Sequence, residues 1–335
     1  MNIYDISEKA GVSIATVSRV INGNPNVSEK TRAKVLQAIE ENGYTPNVFA
    51  RGLGLNTMKT IGIMCADSSD PYLAHAIYYL EQELRKNNYD ALLMCTGHVA
   101  AEKAKCAELL MSKRVDAVIL VGSNYVDDDD SNNRYIYKAA SSVPVMILNG
   151  ILNGTNIYCT ACDDHSAIAK VTNRFFAAGR KKLVYLNNSN SYSAQRKRKG
   201  FISAMKAHGV TPDESNFIHI SSDVNDVNEI RDLVAQSIPA DCDGVIAAED
   251  ILAIGVLKYA KQKKISVPRD LFISGYNNSN ISLCCDPELT TVDNKLKKIC
   301  VHSVNNLMSV FAGDESIPNQ TLFSADIVER ETTKF

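Results

Sequence analysis

The sequence predicts an α/β protein built as an all-α head, a short connector and two doubly wound α/β lobes. Three observations carry that prediction. Residues 3–43 are punctuated by turn and cap residues into helical stretches with no strand pattern. From residue 61 onward short apolar runs alternate with helical segments. Those runs number roughly ten, more than one open sheet ordinarily holds, so they divide between two lobes.

In the head, Ile3 to Ala10 reads as a first helix closed by Gly11, a residue suited to a left-handed exit. Ser13 offers a side-chain oxygen to cap a second helix running to about Asn22. Ile6, Ala10, Val17, Val20 and Ile21 recur at helical spacing and supply a small shared core. Asn22-Gly23-Asn24-Pro25 is dense turn chemistry. Ser28 caps a third helix whose Val35, Leu36 and Ile39 face inward, and Asn42-Gly43 ends it.

Downstream, the runs 61–66, 90–96, 116–122 and 144–149 read as buried parallel strands. The patterns 157–162 and 182–188 follow, and 217–221, 244–249 and 270–276 repeat the rhythm. Open parallel sheets bind ligands outside the carboxyl ends of their strands. Polar residues stand at those ends: Asp67 with Ser68, Thr96, Ser123, Asn149, Asn187 with Asn188, Glu249 and Asn277. Two lobes facing each other across such ends form a cleft for a polar small molecule.

Composition excludes several classes. Apolar residues at 45% and charged residues at 22% match a globular chain and rule out a disordered or coiled-coil one. The 36 basic and 38 acidic side chains exclude a protein that coats nucleic acid along its whole length. The balance is +2 over residues 1–59 and −4 over the remainder, so any contact with DNA is confined to the head. With no long apolar run and an N-terminus unlike a secretory signal, a cytoplasmic protein without a membrane partner is expected. Nine scattered cysteines read as reduced thiols and not as a disulfide framework.

The segment from Gly11 to Asn22 has helix-turn-helix form, which would present the second helix to a major groove. Ile14 and Ala15 in its first turn could touch thymine methyls, and Arg19 could contact guanine O6 and N7. Ser13, Thr16, Ser18 and Thr31 are short hydroxyl donors suited to phosphate oxygens. The pattern alone leaves a plain three-helix capping subdomain open.

IYDISEKAGVSIATVSRVINGNPNVSEKTRAKVLQAIEENGYTPNVFARGL (3–53) strongly resembles the DNA-binding head of the LacI/GalR family of bacterial transcription regulators. VPRDLFISGYNNSNISLCCDPELTTVD (267–293), AAEDILAIG (247–255) and IVER (327–330) extend the likeness over essentially the whole chain. The resemblance implies a head over 1–45, a hinge helix or linker over 46–58, and an effector-binding and dimerisation core over 59–335 of periplasmic-binding-protein-like type. Within that core one lobe would span about 60–160 plus 292–320, and the other about 161–291 plus 321–335. It also implies a cytoplasmic homodimer, most simply a repressor, that reads a near-palindromic double-stranded operator under control of a small-molecule effector, with no enzyme activity and no cofactor. The DNA face carried over is Ser13, Ile14, Ala15, Thr16, Ser18, Arg19, Asn22, Asn26, Ser28 and Thr31, with Tyr44, Asn47 and Ala50 beside or within the hinge. Leu53 matches the leucine that wedges into the minor groove, although Gly52 and Gly54 on either side disfavour helix.

In the effector cleft the chain departs from its sugar- and purine-responsive relatives. Their ligand-anchoring Arg is Lys197 here, and the Asp of their Gly-Phe-Asp turn is Asn277. A further common Asp is Asn149, and a position that is often Asn is Glu249. Asp67 ends the first strand, and Tyr72 matches an aromatic that stacks on ligands. Lys is a point charge where Arg would give a planar fork. The loss of two carboxylates makes the pocket less hostile to an anion, and Glu249 would pair with Lys197. The effector expected is therefore a sugar or sugar phosphate, held unlike the usual free sugar; drift to another ligand, or to none, is the competing expectation. The run Arg196-Lys197-Arg198-Lys199 gives a basic surface, and family members of catabolite control with Lys here answer to a phosphorylated carrier protein. A solvated helix face is the plainer reading of that run.

Other constellations carry less. Cys159 and Cys162 form a CxxC inside a strand pattern, where a structural role is expected. His98, Glu102 and Cys106 on one helix cannot complete a tetrahedral site, and Asp127 to Asp130 reads as a solvated loop, so no metal is expected. The alternative class is a solute-binding protein or α/β enzyme core whose helical head does not read DNA.

Overall fold

The computed structural model describes residues 1–44, 57–221, 224 and 226–335. Its backbone divides into a head unit, Met1–Thr60 with Arg114–Asp116, and a core unit, Ile61–Lys113 with Ala117–Phe335.

The head comprises α1 (Ile3–Ala10), α2 (Ile14–Ile21) and α3 (Glu29–Glu41). Asn2 and Asp5 form a reciprocal capping box at the start of α1. Gly11 leaves α1 at φ 64°, a left-handed turn that a Cβ would strain. Ile6, Ala10, Val17, Val20, Val35 and Ala38 are buried together, with Ile21 and Ile39 packed against them. Leu36 departs from expectation. It is 50% exposed, and the small Ala38 takes the inner place, because the three-residue step from Val35 faces α1 and α2 more squarely.

The core begins with β1 (Thr60–Cys65), α4 (Pro71–Lys86), β2 (Asp90–Cys95), α5 (Ala100–Ser112), β3 (Ala117–Val121), α6 (Arg134–Ala140), β4 (Val145–Leu148) and β5 (Ile157–Cys162). It continues with α7 (Asp164–Ala177), β6 (Leu183–Asn187), α8 (Tyr192–Ala207), β7 (Phe217–His219), α9 (Val227–Ser237), β8 (Gly244–Ala247), α10 (Asp250–Lys263) and β9 (Phe272–Ser274). The chain closes with β10 (Thr291–Asp293), α11 (Leu296–Phe311), β11 (Gln320–Phe323) and β12 (Asp326–Val328).

The first sheet is six-stranded in the order β11-β5-β4-β3-β1-β2, and the second is four-stranded in the order β7-β6-β8-β9. The registered pairs within both sheets are parallel. β10 and β12 pair antiparallel between them. β11 pairs with β5 from Gln320↔Cys159 through Phe323↔Cys162. β10 and β11 were not foreseen, being too short for alternation to register. His98 also precedes α5 and does not lie on it. Among the described residues no helix is long and apolar enough to cross a membrane.

In the second lobe α7 packs on α8 at Gly200. A Cβ there would come within 2.3 Å of the His165 carbonyl oxygen, a backbone atom that cannot swing aside. Gly200→Ala is therefore expected to destabilise the core by about 1–3 kcal/mol through overpacking. Urea denaturation checks this, and an unchanged midpoint would mean that the helices separate freely.

Candidate DNA-reading head and ligand cleft

The starts of α2 and α3 are built alike. Ser13 Oγ accepts the Thr16 N–H at 3.2 Å and lies 2.9 Å from Thr16 Oγ1. Ser28 Oγ accepts the Thr31 N–H at 3.3 Å and donates to Thr31 Oγ1 at 2.9 Å. Each hydroxyl pair thus sits at a helix N-terminus, where free N–H groups and the helix dipole favour an anion such as phosphate. Along α2, Val17 and Val20 are buried while Ser13, Ile14, Ala15 and Arg19 are exposed and Thr16 and Ser18 half-buried. That divides the helix into a core face and a free face bearing one cation, two apolar contacts and hydroxyls. Asn22 Nδ2 donates to Ser18 Oγ at 3.4 Å, while Asn22 Oδ1 is buried without a partner among the described residues. Asn26 is exposed, with its N–H on Asn24 Oδ1. Tyr44 packs against the head core and its N–H donates to the Ile39 carbonyl at 3.0 Å. Asn47, Ala50 and Leu53, with nearly all of the expected hinge, lie outside the described residues.

In the core, the residue after β4, Asn149, takes a left-handed φ of 61° and is buried. Its N–H donates to the Thr160 carbonyl at 2.9 Å, and its Nδ2 donates to the Tyr72 hydroxyl. Asn149 Oδ1 and Thr160 Oγ1 are both buried without described partners. From the second lobe, Lys197 on α8 is 7% exposed, donates to the Ala248 carbonyl at 3.0 Å and lies 3.7 Å from the Tyr276 ring centre. The Tyr276 hydroxyl in turn donates to Asp164 Oδ1 at the start of α7 and lies 3.6 Å from Cys162 Sγ. Burial pushes the Asp164 carboxyl up, while the Lys197 charge and the Tyr276 hydroxyl draw it back. Glu249 shifts upward for the same first reason, against the pull of Lys197, and accepts from Asn188 Nδ2 at 3.4 Å. Asn277, at φ 101°, accepts from Asn294 Nδ2 at 3.0 Å and leaves Asn294 Oδ1 buried and unpartnered among the described residues.

Two expectations are corrected here. Lys197 makes no ion pair with Glu249 among the described residues, because the ammonium turns toward Ala248 and Tyr276. The four-residue basic run is likewise no uniform surface. Lys197 is buried, Arg196 pairs with Asp163 at 3.5 Å and Arg198 lies over Phe217 at 4.4 Å. Asp67 stands apart: it is exposed and hydrogen-bonds its own turn at Ser69. Further contacts between the two lobes include Ser123 Oγ, which donates to Ser191 Oγ at 2.9 Å, and Gln195 Nε2, which donates to Asp128 Oδ2 at 3.0 Å.

The buried polar side chains Asp164, Thr160, Tyr185 and Asn294 were not singled out from the sequence. The doubled acid Asp163-Asp164 after a strand was the available signal. Asp163 is the helix cap, accepting the Ser166 N–H, which leaves Asp164 free to point inward. The CxxC thiols are both buried. Cys159 bonds the Leu152 backbone and Cys162 meets Tyr276, and burial raises them to about 11 and about 12. Among the described residues no group of three metal-ligating side chains forms.

A family model for bacterial regulatory proteins of the lacI family matches residues 2–47, and one for a periplasmic binding protein-like domain matches 172–333. The chain is 52% identical over 336 residues to an HTH-type transcriptional regulator of Lachnoclostridium phytofermentans, with 100% of both chains covered. The chain belongs to the lacI family. The HTH-type transcriptional repressor PurR of Haemophilus influenzae is 30% identical over 312 residues, covering 91% of this chain and 90% of that one. The lac repressor dimer bound to operator and the anti-inducer ONPF shares the fold, with a TM-score of 0.87 at 22% identity over 99% and 98% of the chains. This LacI-family chain is thus a DNA-binding regulator of transcription whose named relatives are regulators and not enzymes.

The raised Glu249 carboxyl has a sign that can be measured. Its proton is held more tightly folded than unfolded, so its contribution is present at low pH and is lost as pH climbs from 4.5 through the folded value. Glu249→Gln keeps the shape without the charge. It is expected to be more stable than the parent at neutral pH, with the gap closing on acidification below 4.5. Denaturant midpoints across pH read this, and a gap independent of pH would rule out the ionisation.

Proposed function

We propose that the chain is a cytoplasmic repressor that binds a near-palindromic operator as a homodimer, with operator affinity set by an uncharged, sugar-like ligand in the cleft. The free face of α2, with exposed Arg19 beside Ile14 and Ala15, carries the DNA reading. Ser13, Thr16, Ser18, Asn22, Asn26, Ser28 and Thr31 would position that face on phosphates and sugars. Residues 1–45 would act as the head and 46–58 as the hinge, with Tyr44, Asn47 and Ala50 at the backbone and Leu53 as the minor-groove wedge. The lac repressor dimer on its operator supports the two-fold arrangement.

The ligand reading rests on which atoms remain open. Lys197 is turned to protein acceptors, whereas the unpartnered buried atoms include the acceptors Asn149 Oδ1 and Asn294 Oδ1 and the hydroxyls of Thr160 and Tyr185. Such a set favours hydroxyl donors over a phosphate. With Tyr72, Glu249 and Asn277 it would make the effector site. A phosphorylated carrier protein is not part of the reading, since the basic run that suggested one is dispersed.

Duplexes selected from a random pool by the full-length protein supply the operator. Arg19→Ala is expected to lose about 1–3 kcal/mol of discrimination between the selected and a scrambled duplex while the thermal midpoint holds. Affinity for both duplexes should fall steeply with salt. A pool that yields no enriched sequence, or an Arg19→Ala protein as selective as its parent, would overturn the DNA reading of α2.

A further inference from the structure

Residues 57–60 carry the chain into β1, and one side chain from the start of β3 holds them. Asp116 accepts the Met58 N–H on Oδ1 at 3.1 Å and the Thr60 N–H on Oδ2 at 3.0 Å. Its own N–H donates to the Thr60 carbonyl at 2.8 Å, and Thr60 Oγ1 donates to the Met58 carbonyl at 3.0 Å. Lys59, between the two clamped amides, is left-handed at φ 50°, a conformation that a residue with a Cβ resists. Arg114, left-handed at φ 56°, turns the chain after α5 just before Asp116.

The sheet itself does not need this knot. β1 and β3 are in parallel register from Ile61↔Ala117 to Cys65↔Val121, so the ladder is complete without Met58 and Lys59, which precede the strand. A carboxylate that only extended the ladder would stop at Thr60. The two strands also have a second end. Five paired residues span roughly 17 Å, and just past their carboxyl ends stand Asp67 and Ser123. Ser123 Oγ donates to Ser191 Oγ of the second lobe. One pair of neighbouring strands thus runs from a contact between the lobes to the residues at which the connector meets the core.

We propose that Asp116 is a positioning residue for operator binding, whose carboxylate fixes the direction in which the chain leaves β1 toward the head. This role rests on the reading that the head binds DNA. Asp116 touches no nucleotide and acts through the backbone of residues 58–60. Two acceptor oxygens are required, one for each amide. Asparagine has the same shape but a single acceptor, and its NH2 would face an N–H, so one of the two bonds is lost. Without both, Lys59 is free to leave the left-handed region, and the connector sets out along another path. Sequence-selective binding needs the heads held in register, whereas phosphate contacts on a random duplex tolerate a shifted head.

The test compares full-length parent, Asp116→Asn and the double variant Asp116→Asn with Lys59→Gly. Amide exchange read by mass spectrometry should show the Met58 and Thr60 amides opening about tenfold faster in Asp116→Asn, with the β1 interior unchanged. Its affinity for the duplex selected by the parent should fall about tenfold, with affinity for a scrambled duplex and the thermal midpoint held. Glycine takes φ 50° without a Cβ penalty, so the double variant should regain part of the lost affinity, while Lys59→Gly alone matches the parent. Unchanged exchange at Met58 and Thr60 would overturn the clamp. Freed amides with undiminished operator affinity, or an equal loss on both duplexes, would overturn the positioning role, as would a loss that follows a lowered thermal midpoint and is not recovered by Lys59→Gly. A parent that enriches no duplex overturns the DNA reading itself, and the exchange measurement, which needs no DNA, tells that failure from failure of the clamp.

Discussion

The core turns on one buried carboxylate. Asp164 sits where the chain leaves β5 of the first sheet and enters the helices of the second, and it is 4% exposed. An isolated carboxylate there would cost several kcal/mol, so the fold must bring it partners. Tyr276 supplies a hydroxyl, Ser193 a second hydrogen bond, and Lys197 a positive charge. Meeting that demand fixes the loop after β9, the face that α8 presents, and the contact of Tyr276 with Cys162 at the end of β5. The Lys197 ammonium is then committed to the protein's own interior. Asn149 Oδ1, Asn294 Oδ1 and the hydroxyls of Thr160 and Tyr185 stay buried without described partners, and this supports the proposed uncharged polyol over a phosphate.

The head is organised by a different economy. Six small and medium side chains form its buried centre, too few to carry wide tolerance for substitution. Its precision comes instead from caps. Ser13 and Ser28 hold the starts of α2 and α3 with the same hydroxyl pairing, and Gly11 and Gly43 make the left-handed exits. The surface is thereby released from structural duty, and in the proposed DNA contact the net +2 of residues 1–59 would be supplemented by helix N-termini.

Most of this architecture was legible in the residues. The helices of the head follow from Gly11, Ser13 and Ser28, because caps and left-handed exits are local chemistry. Long strands such as β1 and β5 follow from their apolar runs. β10 and β11, at three and four residues, carry too little pattern to announce themselves. The sidedness of Leu36 against Ala38 is decided by neighbouring helices and not by period alone. Tyr72, Asn149, Lys197, Glu249 and Asn277 stand out in the sequence as polar or aromatic residues at strand ends and helix starts, but their orientations do not. Charge in a sequence has no direction, and the Ala248 carbonyl and the Tyr276 ring, both distant in the chain, hold Lys197 inward.

If the cleft and the head belong to one regulator, their ligands are thermodynamically linked, and the linkage is reciprocal. The most direct measurement is a closed cycle on the full-length protein, with the selected operator and an uncharged sugar found by a thermal-shift screen. The operator dissociation constant is measured with and without sugar, and the sugar dissociation constant with and without operator. The account predicts that both change, by the same factor. A sugar that occupies the cleft equally well on free and operator-bound protein would contradict it.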